Sequence, residues 1–167
     1  MKTPHCVYGI LPVLVLCFVM GANAQGEKKI ALKDVPPAVR EAFAKSYPHA
    51  EAKAASSEVE HGVTYYEIES LEGSVHRDIL YTEDGKASEI EESVKASTLP
   101  AAVKEGLERS YPNCKVLRAE TSTRESTTNY ELVIISGKAR HEIVIDGSGK
   151  IKEDKHLGAT KKAEKND

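Results

Sequence analysis

The chain aligns with itself. Sliding its 167 residues by 64 positions superposes two stretches without a gap. Pro36, Ala38, Val39 and Glu41 fall on Pro100, Ala102, Val103 and Glu105, and Ser46-Tyr47-Pro48 falls on Ser110-Tyr111-Pro112. Further along, Tyr66-Glu67 meets Tyr130-Glu131, and Gly73, Ile79, Gly85 and Lys86 meet Gly137, Ile143, Gly149 and Lys150. A helix stop, turn glycines and apolar phase are kept together. The repeated object is therefore a supersecondary unit, and a fold for this chain has to accommodate it twice.

Each unit opens on a short amphipathic helix. Pro36-Pro37 suits a first helical turn, and Val39, Ala42, Phe43 and Tyr47 share one face at helical spacing. Asp34 and its counterpart Thr98 are placed to cap the start, and Pro48 and Pro112 forbid continuation. The rest reads as strands: Glu51–Glu60, Val63–Leu71, Ser74–Thr82 and an acidic, edge-like Lys86–Ser93, separated by turns at His61-Gly62, Glu72-Gly73 and Glu83–Gly85. The second unit repeats this order, ending in "KIKED". Loops this short demand antiparallel neighbours. The predicted class is α+β: two tandem repeats, 32–92 and 96–155, each one helix followed by a four-stranded antiparallel meander, joined into a curved sheet with helices on one face. Ser93–Thr98 is the linker.

The 64-residue period is even, so strand phase carries over. Tyr66, Ile68, Val75, Ile79 and Tyr81, with Tyr130, Leu132, Ala139, Ile143 and Ile145, belong to the helix-covered face. The open face then carries Tyr65, Glu67, Glu69, His76, Asp78 and Leu80 in the first unit, and Asn129, Glu131, Val133, Arg140, Glu142 and Val144 in the second. These twelve are the candidate partner-binding residues, because a face mixing charged, aromatic and aliphatic groups can seat a partner.

The termini lie outside this pattern. A positive start, the apolar run Val7–Gly21 and the small residues of "ANAQ" read as a secretory signal, residues 1–24, cleaved after Ala24. The predicted destination is the periplasm or the medium, with no membrane anchor left after cleavage. Removing Lys2 leaves 22 basic residues against 26 acidic, and no basic stripe appears, so nucleic acid is excluded as a partner. Cys6 and Cys17 leave with the signal, so Cys114 has no internal disulfide partner, and it matches the small Ala50 of the first unit. Residues 156–167 read as a charged, disordered tail.

Chemistry is sparse. G-x-S-x-G, H-E-x-x-H and P-loop patterns are absent. His49 and His61 fall at turns. His76 and His141 fall on matching strands one residue out of phase, which points them to opposite faces and predicts solvated histidines rather than a metal pair. Asp146–Glu153 lacks the ligand spacing of a calcium loop, and Glu67, Glu69 and Asp78 lack a surrounding pocket for acid–base work. The expected protein is not an enzyme, has no catalytic residues, and needs no cofactor or metal.

"VPPAVREAFAKSYPHAEAKAA" and "LPAAVKEGLERSYPNCKVLRAE", with "NYELVI", "HEIVID" and "GKIKE", resemble the PepSY-like domain family, which is similar to β-lactamase-inhibitor protein. The resemblance covers about residues 32–155. It implies an exported bacterial protein whose tandem units form a curved sheet backed by helices. The resulting expectation is a binding module that engages a protein or peptide on its open sheet face, as inhibitor or regulator. The alternative is a periplasmic protein that senses a small molecule or metal.

Overall fold

A computed structural model describes residues 25–159. The predicted signal segment 1–24 and the last eight residues of the predicted tail lie outside them. Nine strands form a single antiparallel sheet whose spatial order is their sequence order. They are β1 Gln25–Ile30, β2 Glu51–Glu60, β3 Val63–Glu72, β4 Val75–Thr82, β5 Ala87–Ser93, β6 Lys115–Arg124, β7 Thr127–Ser136, β8 Ala139–Asp146 and β9 Ile151–Ala159. Two helices of ten residues, α1 Pro37–Ser46 and α2 Ala101–Ser110, interrupt the strand order.

This corrects the predicted α+β pair of helix-plus-meander units. The chain is predominantly β, and its strands are one ladder. β5, read from its acidity as an edge, sits mid-sheet and pairs with β6 through Glu89↔Arg124, Ile90↔Thr123, Glu91↔Ser122, Glu92↔Thr121 and Ser93↔Glu120. Its charge is matched across that seam: Arg124 donates to Glu89 at 2.5 and 3.1 Å, and Ser122 Oγ donates to the same carboxylate at 2.6 Å. β1, which no unit contained, adds a ninth strand against β2. β9 runs to Ala159 and pairs Ala139↔Ala159 and His141↔His156, so residues 156–159 are strand where a tail was expected.

The helices start at Pro36 and Pro100 without a side-chain cap. Asp34 and Thr98, expected as caps, lie instead in short 3-10 turns, where the Thr98 hydroxyl donates to the Lys95 carbonyl. Both helices end where Tyr47 and Tyr111 donate backbone N–H bonds to Phe43 and Leu107, one residue before a proline. Three turns of helix are marginal alone. Here they are held by burial, at about 1.5–3 kcal/mol for each large apolar side chain removed from water. Val39 and Phe43 of α1 pack with Ala55, Ile68, Ile79 and Tyr81, and Val103 and Leu107 of α2 pack with Leu132, Ile134, Ile143 and Ile145. The apolar core therefore occupies one face of the sheet as two clusters.

The β8–β9 turn presses against α2. A Cβ at Gly106 would stand 2.0 Å from the Gly149 carbonyl oxygen, and one at Gly149, whose φ is +84°, would stand 2.1 Å from the Ala102 carbonyl oxygen.

One core atom is out of keeping with its surroundings. Tyr81 is 2% exposed, yet its hydroxyl has no hydrogen-bond partner. Burial pushes its pKa upward. An unmade bond at a buried hydroxyl costs about 1–3 kcal/mol. Tyr81→Phe is therefore expected to raise the unfolding free energy by about 1 kcal/mol in urea titration. A clear loss of stability would show that the hydroxyl is satisfied.

Candidate functional site: an acidic trough on the open face of the sheet

Cross-strand pairing puts residues that sit opposite one another on the same face. One row across the sheet reads Ser56, Glu67, Leu80, Glu89 and Arg124. The next reads Ala54, Glu69, Asp78, Glu91, Ser122, Asn129 and Asp146. A third runs from Leu71 and His76 towards Glu120, Glu131, Val144 and Glu153. All twelve predicted residues lie on the face away from the two core clusters.

Their exposure divides them. His76 and Arg140 are exposed, and Tyr65, Glu67, Glu69, Asp78, Asn129, Glu131, Glu142 and Val144 are half-buried. Leu80 and Val133, expected to offer apolar contact surface, are only 6% and 3% exposed. They are buried within the open face rather than offered on its surface.

The sheet curls. Glu60, His61 and Tyr65 of the first hairpin line the same cavity as Lys152, Glu153, Asp154, Lys155 and His156 of β9. The cavity measures about 1070 Å³, and its floor comes from Glu89, Glu91, Ser122, Asn129, Glu131 and Val144. Of the predicted residues, Tyr65, Asn129, Glu131, Glu142 and Val144 meet in this trough. Glu67, Glu69, His76, Asp78, Leu80, Val133 and Arg140 do not line it. Sequence reading missed Glu60, Glu89, Glu91 and the β9 residues. Glu89 and Glu91 were legible as alternate acids of β5, but the curl that brings β9 opposite Glu60 has no signature in any single strand.

Crowded carboxylates dominate the electrostatics. Burial, reinforced first by Glu131, pushes Glu91 up to about 9. Glu131 rises to about 7 through burial and repulsion from Glu120. Glu67 reaches about 7 through burial, against the opposing hydrogen bond from Ser56 at 3.0 Å, and Asp78 about 6 through burial and Glu69. Cations are fewer: Arg118 bridges Glu120 and Glu142 at 3.5 and 3.7 Å, and Lys155 reaches Glu142 at 3.7 Å. Chemically the trough can hold positive charge. Among the described residues no group of three or more His, Cys, Asp or Glu is placed to hold a metal ion.

His76 and His141 do face opposite ways, but His141 is not simply solvated. On the helix side it accepts or donates a bond with Asp154 at 2.9 Å, lies 5.1 Å ring-to-ring from Tyr111, and meets His156 edge-on at 5.3 Å. Tyr111 also donates to Asp154. In the first half the same place holds Arg77, stacked 4.9 Å from the Tyr47 ring and paired with Glu72 and Glu92 at 2.9 and 2.5 Å. These groups fasten each helix end to the sheet.

Comparison with known proteins places this architecture. No curated protein sequence matches the chain. Among solved structures, a BLIP-like protein from Bacteroides fragilis NCTC 9343 is similar at 20% identity and a TM-score of 0.56, with 76% of this chain and 91% of that chain covered. A protein from Bacteroides eggerthii DSM 20697, described among "putative periplasmic proteins", gives 15% identity, a TM-score of 0.62, and coverage of 74% and 89%. A DUF2874 family protein from Bacteroides uniformis ATCC 8492 gives 14% identity, a TM-score of 0.60, and coverage of 73% and 89%. At these identities the likeness is one of fold. The family model described as "Putative beta-lactamase-inhibitor-like, PepSY-like" matches residues 23–87 and 64–153, two overlapping segments that together span most of the sequence. The chain belongs to the PepSY-like, beta-lactamase-inhibitor-like family.

Proposed function

We propose that the protein is a non-enzymatic binding module of the bacterial periplasm that engages a protein or peptide on the open face of its sheet and restrains or regulates it. The observation that carries this reading is the trough itself. It is a concavity of about 1070 Å³ on the face opposite both helices, lined by half-buried polar side chains and by Tyr65 and Val144. Membership of an inhibitor-like rather than an enzymatic family supports it, as does the periplasmic description of a protein of the same fold. A mixed, partly desolvated concave surface is the kind that binds through a few anchors surrounded by polar contacts.

Two surface variants test the reading. Val144→Arg places a long cation in the trough, whereas Glu105→Arg alters the exposed back of α2. Affinity capture from a periplasmic extract is expected to lose its specific bound protein with Val144→Arg and retain it with Glu105→Arg. Capture unaffected by Val144→Arg but lost with Glu105→Arg would move the binding surface to the helices.

A further inference from the structure

Seven of the sixteen residues lining the trough are Glu or Asp, and three are Lys or Arg. Several of the acids are already matched. Glu89 holds Arg124 and Glu142 lies near Arg118 and Lys155, while the Asp154 carboxylate turns to the helix side, to Tyr111 and His141. Glu60 is different. It closes β2 at the rim of the first hairpin, is only 7% exposed, and its Oε1 atom is buried without a hydrogen-bond partner. A buried carboxylate oxygen with nothing to accept from is costly. The fold keeps this one at the wall of a cavity that Glu89, Glu91 and Glu131 also line.

The rest of the lining narrows what could satisfy it. The cavity is far larger than a single ion, and the described residues contain no group of three ligands for a metal. Tyr65 and Val144 supply apolar lining, while Asn129, Ser122 and His61 supply hydrogen-bonding groups. That combination suits a long aliphatic stem with a cationic tip, carried on a backbone that needs polar partners.

Resting on the open-face reading above, we infer that the trough seats an extended segment of a polypeptide partner bearing lysine or arginine, one basic side chain ending on Glu60. The segment's charge relieves the crowding of the floor carboxylates, and its backbone meets Asn129 and Ser122. Glu60 is the anchor, and Glu89, Glu131, Glu142 and Glu153 line the same cavity as further acids. Removing one side of a desolvated charge pair weakens binding far more than removing a charge at the rim.

Fluorescein-labelled hexa-arginine and hexa-glutamine serve as probes in fluorescence polarisation at neutral pH and physiological ionic strength. Hexa-arginine is expected to bind and hexa-glutamine to bind much more weakly. Glu60→Gln is expected to weaken hexa-arginine at least tenfold, and Glu83→Gln, an exposed acid of the β4–β5 turn, to leave it unchanged. Equal losses in the two variants would reduce the effect to net charge and overturn the anchor. So would a calcium chloride thermal shift that exceeds the peptide's and vanishes in Glu60→Gln, which would make the site one for a metal. If Glu60→Gln fails to fold, amide chemical shifts of the unaltered protein decide. Changes on adding hexa-arginine confined to Glu60–Tyr65, β9 and the trough floor support the proposal, and changes centred elsewhere overturn it. Failure here, with Val144→Arg still abolishing partner capture, rejects the basic anchor and leaves the open-face reading standing. Failure of both rejects the face.

Discussion

Gly106→Ala is expected to lower the unfolding free energy by about 3 kcal/mol or more, the reverse of what the same change does in most helices. At an exposed mid-helix position, glycine to alanine stabilises by about 1 kcal/mol. Gly106 is buried, and the Cβ it lacks would stand 2.0 Å from the Gly149 oxygen and 2.7 Å from its carbonyl carbon. Both are backbone atoms of a tight turn, so neither can rotate aside as a flexible side chain would. Gly149 cannot retreat without disturbing its own N–H bond to Asp146 and the Lys150-to-Asp146 bond that closes the hairpin. Relief would have to come from lifting α2, and with it Val103 and Leu107, off Ile143 and Ile145. Overpacking of that kind reaches or exceeds the upper part of its usual range. The first half supplies the control, because Ala42 already occupies the matching position. Ala42→Gly should cost about 1 kcal/mol. Urea unfolding followed by circular dichroism measures both. A Gly106→Ala protein as stable as the unaltered one would mean that the turn and helix are not held in contact.

The second large effect concerns pH. Stability is expected to fall as pH rises from about 5 to 8, by at least about 3 kcal/mol, the equivalent of the Glu131 shift alone. The sign follows from the direction of the shifts. Glu91, Glu131, Glu67 and Asp78 are pushed up to about 9, 7, 7 and 6 in the folded protein. Each therefore binds its proton more tightly folded than unfolded. Below the ordinary carboxylate range both states are protonated and nothing is lost. Above it the unfolded chain gives up its protons, the folded open face resists, and stability drains away until pH passes the folded value. Glu91 continues to contribute to that loss up to about pH 9. Asp84, Asp146 and Asp154, held below their usual values largely by hydrogen bonds, act in the opposite sense at the acid end. Maximum stability is thus expected near pH 5. Thermal melts across this range should show the midpoint falling by on the order of 10 °C towards pH 8. Glu91→Gln should flatten the slope and raise the melting point at pH 8. A midpoint that climbs with pH would refute the description of the trough.

These two effects also mark what could be read from the residues alone. Alternation and turn glycines were sufficient to place most strands to within a residue or two, and the Tyr-Pro endings placed both helix ends. Face assignment followed, since the period of two leaves little choice once Ile68 and Ile79 are put on the core side. Assembly was not legible. The acids of β5 look the same whether they repel a neighbour at an edge or pair with Arg124 and Ser122 across a seam. β1 was hidden because "QGEKKI" carries no alternation and only one strand former, Ile30, and it is a strand because β2 offers it hydrogen bonds. Leu80 and Val133 show a related limit. Parity put them on the open face correctly, but parity says nothing of their burial. Glu60 is the sharpest case: one acid among many in the sequence, set apart only by the curl of the whole sheet.

Because spatial order repeats sequence order across the nine described strands, every pairing joins strands that are consecutive in the chain. Such a ladder has no strand that must wait for a distant segment to be synthesised or threaded, so loop closure costs little at each step and folding should be fast for a protein this rich in β-structure. It also means that loss from either end removes an outermost strand and exposes a fresh edge, without opening a gap in the middle. Trimming β1 would uncover β2, a strand with Ala55 and Ser56 buried at its centre, and the shortened protein should be the more prone to pair with copies of itself.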